Sequence, residues 1–209
     1  MACEQKNKTP SIALKNLTFG WAVLNPVIKD FSLSINGAGL YRLDGHNGCG
    51  KSTFIEVLSG YLPLIGGQGH INDVPLKDTR IRELVNVCRS QSALHPHLSL
   101  HDHLVIAARL NDTSVDILEK RGIALGLDIR SSVRTSDLST GTVRKLWYIM
   151  CTVVNKPVIL LDEVFNGVDS QSVSVMVEEI NMWAKTSLVI FVSHSVPDGL
   201  DNYQNILLA

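Results

Sequence analysis

Nine consecutive residues, Gly45, His46, Asn47, Gly48, Cys49, Gly50, Lys51, Ser52 and Thr53, combine three glycines with a lysine and two hydroxyls. Glycines let a backbone turn tightly with its N–H groups facing inward, and such a nest at the positive end of a helix attracts anions. The pattern G-x-x-x-x-G-K-S/T suits a di- or triphosphate. Lys51 is placed to bring its charge to the β- and γ-phosphates, Ser52 to offer Mg²⁺ a hydroxyl, and Thr53 to donate toward the α-phosphate. The flanks agree with that reading, because a strand-like run at 41–43 precedes the cradle and a helical run at 54–58 follows it.

A second chemical group lies far along the chain. The apolar run Val158, Ile159, Leu160 and Leu161 ends in Asp162 and Glu163. A buried strand of a parallel sheet delivers the residue at its carboxyl end to the edge where ligands bind. Alone, the two acids would read as surface carboxylates after a core strand; joined to the cradle, they form a Walker B pair. Asp162 would bind Mg²⁺ through water, and Glu163 would polarise the water that attacks the γ-phosphate.

Both groups need a scaffold that brings them together. Strand-length apolar runs at 12–19, 27–35, 40–43, 85–88, 158–161 and 188–192 alternate with helical segments, which predicts a parallel sheet covered by helices. Val173, Met176, Val177, Ile180 and Ala184 recur every three or four residues behind Asp169 and Ser170, predicting an amphipathic helix with a capped start. From 98 to 154 the pattern is helical, with no convincing strand. The fold class expected is α/β: a P-loop NTPase core, mostly parallel, with an antiparallel β edge and an inserted helical subdomain. One domain spans 1–209, its core at about 1–91 and 155–209 and its helical part at about 92–154.

Composition narrows the partners. Nineteen Lys and Arg against 20 Asp and Glu give a net charge of −1, too weak a field to gather a polyanion, so no nucleic acid is expected. No apolar run reaches the roughly 20 residues of a spanning helix, so membrane association would come only through a partner. Cys3, Cys49, Cys88 and Cys151 are scattered without metal or disulfide spacing, and Glu4, Lys6 and Lys8 interrupt any leader-like stretch. Free thiols in a reducing cytosol are the plain reading.

Leu138, Ser139, Thr140, Gly141 and Thr142, ahead of the acid pair, resemble the signature loop of ATP-binding-cassette transporter ATPases, usually L-S-G-G-Q. From there the resemblance covers nearly the whole chain. Trp21 sits where an aromatic stacks on adenine, Gln91 matches the Q-loop, Gly167, Val168 and Asp169 match the D-loop, and His194 matches the switch histidine. The resemblance implies that Gln91 senses Mg²⁺ or the attacking water and that His194 contacts the γ-phosphate. It also implies that Ser139 and the N–H groups near Gly141 act across a dimer on nucleotide held by the other copy. A homodimer or heterodimer on a transmembrane permease subunit follows, peripheral on the cytoplasmic side of the membrane, with ATP and Mg²⁺ as cofactors.

The chain departs from the pattern at Thr140, Thr142, Lys145 and Val164, where Gly, Gln, Arg and Pro are usual. The S-T-G variant suggests cassettes that work with exporters. Three other readings stay open at this point: a soluble cassette acting on ribosomes or DNA, a non-catalytic nucleotide-binding subunit, and a metabolite kinase sharing only the cradle. His95, His97, His101 and His103 crowd one segment at a spacing that could bind Zn²⁺ or Ni²⁺, though the same run follows the family's usual pattern after the Q-loop. Cys49 is either a small tolerated residue of the loop or an oxidation-sensitive thiol.

Overall fold

The computed structural model describes residues 9–208, so Cys3, Glu4, Lys6 and Lys8 lie outside the described residues. The first half of the chain contains β1 (Ser11–Phe19), β2 (Ile28–Asn36), β3 (Gly39–Asp44), α1 (Lys51–Leu58), β4 (Gly66–Ile71), β5 (Val74–Pro75), the single turn α2 (Ile81–Leu84) and β6 (Val85–Cys88). There follow α3 (Leu100–Leu110), α4 (Val115–Ala124), a 3₁₀ turn at Thr135–Asp137, α5 (Thr140–Cys151), β7 (Val158–Asp162), α6 (Ser170–Trp183), β8 (Leu188–Val192) and β9 (Tyr203–Leu207).

Every residue of β7 and β8 is buried, as expected of strands covered on both faces. They form the middle of a five-stranded sheet in the order β6-β7-β8-β3-β9, and the pairings given for it are all parallel. A second sheet, antiparallel and ordered β2-β1-β4-β5, supplies the expected antiparallel edge. One core fills the space where Ile12, Leu17 and Phe19 meet Phe54 and Leu58 of α1. The other lies on the opposite face, where Ile159, Leu161 and Phe191 meet Leu146 and Ile149 of α5 and Met176 and Ile180 of α6.

The run expected to be helical does contain α3, α4 and α5 between β6 and β7. Serine hydroxyls accept from backbone N–H groups at the starts of these helices: Ser99 from Asp102, Ser114 from Asp116 and Ser139 from Thr142. At α6 the capped start is met by Asp169, whose carboxylate accepts from the Ser172 N–H at 2.9 Å. Three strands lacked a sequence signal. β4 reads Gly-Gly-Gln-Gly-His-Ile, a poor strand former held by pairing with β1, and β5 has two residues. β9 is an edge strand with exposed polar residues, fixed by its parallel register with β3.

The topology has one consequence for chemistry. The cradle follows β3, the acid pair ends β7, His194 follows β8 and residues 89–90 follow β6. All four strands are parallel neighbours, so these segments emerge along one edge of the sheet.

Candidate functional site

The cradle loop is held open by its own backbone. Gly50 has φ 102°, a left-handed conformation, and a Cβ there would stand 2.6 Å from Val27 Cγ1. Only glycine satisfies both conditions. The Phe54 N–H donates to the Gly50 carbonyl at 2.8 Å and opens α1, so the free N–H groups of the first turn face the loop. Lys51 Nζ donates to the carbonyls of Gly45 at 2.6 Å and His46 at 3.1 Å, which lays the ammonium across the loop. Cys49 turns inward and packs in the core under the cradle, as a small structural residue does.

A cleft of about 430 Å³ joins Asn47, Gly48, Gly50, Lys51, Ser52 and Thr53 to Asp162, Glu163, Ser90, Val27 and His194. A roomier hollow of about 590 Å³ lies at residues 60–82, away from Lys51 and the acid pair. Asp162 is buried, and that desolvation pushes its carboxyl above the usual carboxylate range. Hydrogen bonds from the Ser52 hydroxyl and from the Ser90 hydroxyl and N–H pull partly the other way.

Glu163 follows with φ 53°, a left-handed conformation that costs a non-glycine residue on the order of 1–2 kcal/mol. Val164 and Phe165 are buried behind it and anchor the turn, and the Glu163 N–H donates to the Val192 carbonyl at 3.0 Å. Its carboxylate is only 14% exposed; Oε1 lies 3.6 Å from His194 Nε2, and Oε2 is buried with no hydrogen-bond partner. An orphaned acceptor of this kind costs about 1–3 kcal/mol. A carboxylate left so beside a phosphate cradle is chemically suited to hold a water for attack.

Gln91, expected at this site, is exposed and does not line the cleft, whereas its neighbour Ser90 does. β6 pairs Cys88 with Leu161 of β7, so the next residues run alongside Asp162. Ser90 therefore reaches the acid and lines both this cleft and an adjoining hollow of Ser92, Thr140, Val143 and Arg144, whereas exposed Gln91 lines only the latter. Neighbouring elements hold Ser90 in place. Arg144 of α5 donates to the Ser90 carbonyl, the Trp147 indole donates to the Arg89 carbonyl at 3.1 Å, and the Arg89 guanidinium pairs bidentately with Glu56 of α1 at 2.7 Å. A serine after a basic residue carries no distinctive signal, and only the strand register identifies it.

The other expected residues stand outside the cleft. Trp21 is 64% exposed on the β1–β2 loop, whose Val27 does line the cleft. Ser139 is spent in part on capping α5, accepting from the Thr142 N–H at 3.2 Å and lying 2.8 Å from its hydroxyl. Gly141 faces the D-loop, where a Cβ would stand 2.6 Å from the Gly167 carbonyl. Asp169 caps α6 and accepts from Lys145 Nζ at 3.0 Å, so its carboxyl lies well below the usual range, chiefly through the Ser172 N–H and then the Lys145 ammonium. Within the histidine segment His103 is buried and structural: it contacts the Ser99 carbonyl through Nδ1 at 2.8 Å and accepts from the His95 N–H through Nε2 at 3.0 Å. Among the described residues no metal-binding group of three His, Cys, Asp or Glu side chains forms.

The family described as "ABC transporter" matches residues 28–166. Phospholipid-transporting ATPase ABCA7 of Homo sapiens is 33% identical over 70% of this chain, but the match is 7% of that protein's length. ATP-binding cassette sub-family A member 17 of Rattus norvegicus is 32% identical over 69% of the chain and 8% of its own. The chain thus spans less than a tenth of these two relatives. A solved structure titled "Structure of ATP binding subunit of ABC transporter" superposes with a TM-score of 0.77 at 26% identity, covering 88% of this chain and 79% of that one. With the cradle, the acid pair and the signature segment in one fold, the chain belongs to the ABC transporter family, as a nucleotide-binding domain.

Proposed function

We propose that the chain binds and hydrolyses ATP to drive transport across a membrane. The observation that carries this is the single cleft in which the phosphate cradle, Asp162, Glu163 and His194 converge. The donor set fits Mg²⁺-ATP. Ser52 and Asp162 would hold the metal, with Ser90 rather than Gln91 alongside, and Mg²⁺ when bound neutralises phosphate charge during phosphoryl transfer. Lys51 exchanges its loop carbonyls for the β- and γ-phosphates. Glu163 Oε2 orients a water for in-line attack; the terminal P–O bond breaks, and ADP, phosphate and a proton leave. His194 contacts the departing phosphoryl group, and Trp21 offers its ring to the base.

Ser139 and Gly141 do not line the cleft of their own chain, which supports a working unit of two copies, or one copy and a homologue. Each copy's signature segment would cover the other's nucleotide. Residues 92–154 would move as a helical subdomain against the core. Among the described residues no helix is long and apolar enough to cross a membrane, so a transmembrane permease part would carry the cargo, with this domain on its cytoplasmic side. Thr140 in the signature favours export. A relative named "Spermidine/putrescine import ATP-binding protein PotA" of Legionella pneumophila, 27% identical over 96% of this chain and 57% of its own length, favours import as the second reading.

Titration calorimetry tests the binding step. Mg²⁺-dependent ATP affinity should fall at least tenfold in Lys51→Ala, and equal affinity in the two proteins would refute the assignment of the cradle.

A further inference from the structure

β3 divides its side chains between two faces. Tyr41 and Leu43 enter the core under the antiparallel sheet, while Leu40 enters the core beneath α6. Arg42 therefore takes the second face, in register with Phe191 of β8 on one side and Asn205 of β9 on the other. A guanidinium is an expensive choice for a strand in the middle of a sheet, because desolvating a cation is costly unless it is fully hydrogen-bonded. Arg42 is not fully satisfied, since its Nε is buried without a partner. An aliphatic residue would suit the strand better, so the reason for arginine lies at the far end of the side chain.

That end meets the loop carrying His194. Arg42 Nη2 donates to the Ser193 carbonyl at 3.3 Å, across 151 positions of sequence. Ser193 directly follows β8 and is buried, and its hydroxyl donates to the Ser195 carbonyl at 2.6 Å, drawing the residues around His194 into one tight turn. Farther along, Asn181 of α6 donates to the Gly199 carbonyl at 2.9 Å and pins the loop's other half. The His194 side chain is 67% exposed, and its approach to Glu163 at 3.6 Å exceeds hydrogen-bond length. Its aim thus depends on the backbone beneath it.

We propose that Arg42 is a positioning residue for His194: by gripping the Ser193 carbonyl it points the imidazole at Glu163 and the phosphate end of the cleft. The proposal rests on the ATPase reading for its kinetic consequence, but the grip itself can be measured without nucleotide. Arg42→Met keeps the stem and removes the donors, and Arg42→Lys restores a cation with different reach. Hydrogen–deuterium exchange of the nucleotide-free protein should show faster exchange over 193–199 in Arg42→Met, less so in Arg42→Lys, with β3 and β8 unchanged. Turnover in Arg42→Met should fall roughly tenfold to a hundredfold, with the KM for ATP within about twofold. In a His194→Ala background the same change should cost nothing further. Unchanged exchange across 193–199, or a full additional loss on top of His194→Ala, would overturn the proposal. A wild-type protein without turnover counts against the ATPase reading instead, and the exchange result then decides the Arg42 contact by itself.

Discussion

Asp162 is the residue on which burial and function pull in opposite directions. Desolvation lifts its carboxyl above the ordinary range, yet a metal requires the ionised form. The sign follows directly: protons compete with Mg²⁺ at a higher pH than they would for an exposed aspartate. Mg²⁺-dependent ATP affinity, measured by calorimetry at descending pH, should therefore begin to weaken above the usual carboxylate range. Because the folded state favours the protonated acid, acidification through that window relieves a cost, and Asp162 itself does not make the ligand-free chain less stable there. Ser52 and Ser90 are the hydroxyls that moderate the shift. Ser90→Ala should weaken Mg²⁺-dependent binding by roughly tenfold, in line with hydrogen bonds to charged groups, while Gln91→Ala stays within about twofold. The reverse order would return the role to Gln91. The expectation for Gln91 comes from its match to the Q-loop, and its amide can both donate and accept. Residue type was legible there, but the turn that sends Gln91 toward Arg144 and leaves Ser90 beside Asp162 was not, since it depends on strand register.

Among the elements, helix starts and buried strands were readable because their causes are local. Asp169 before the amphipathic stripe of α6 and the unbroken apolar run of β7 both lie where the residues predict. β4 and β9 were not readable, because a glycine-rich segment and a polar edge strand become strands only through partners brought from elsewhere in the chain. The signature segment mixes the two cases. Thr140 is tolerated because it occupies the exposed first residue of α5, where a threonine costs a helix little. Gly141 is different, since the Gly167 carbonyl fills the space a Cβ would need. Gly141→Ala should lower stability by about 1–3 kcal/mol, as overpacking does, and thermal unfolding measures it directly. Thr140→Gly should change the midpoint far less. Equal midpoints for Gly141→Ala and wild type would mean that α5 and the D-loop are not packed as described. Lys145, which stands in for arginine, keeps the tie between these elements through Asp169 and Ser172.

At the scale of the whole molecule, the sheet collects four strand ends into one cleft, while Ser139 and Gly141 stay outside it. A half-site of this form fits the proposed working unit of two copies, in which the signature segment of one would complete the cleft of the other. In the proposed cycle ATP joins two such halves, and Glu163 limits how long they stay joined. Light scattering of Glu163→Gln with Mg²⁺-ATP measures this most directly. A stable dimer is expected in that variant, only a transient one in wild type as ATP is consumed, and none when Ser139→Ala is added to Glu163→Gln. A Glu163→Gln protein that binds ATP yet remains monomeric at every concentration would contradict it.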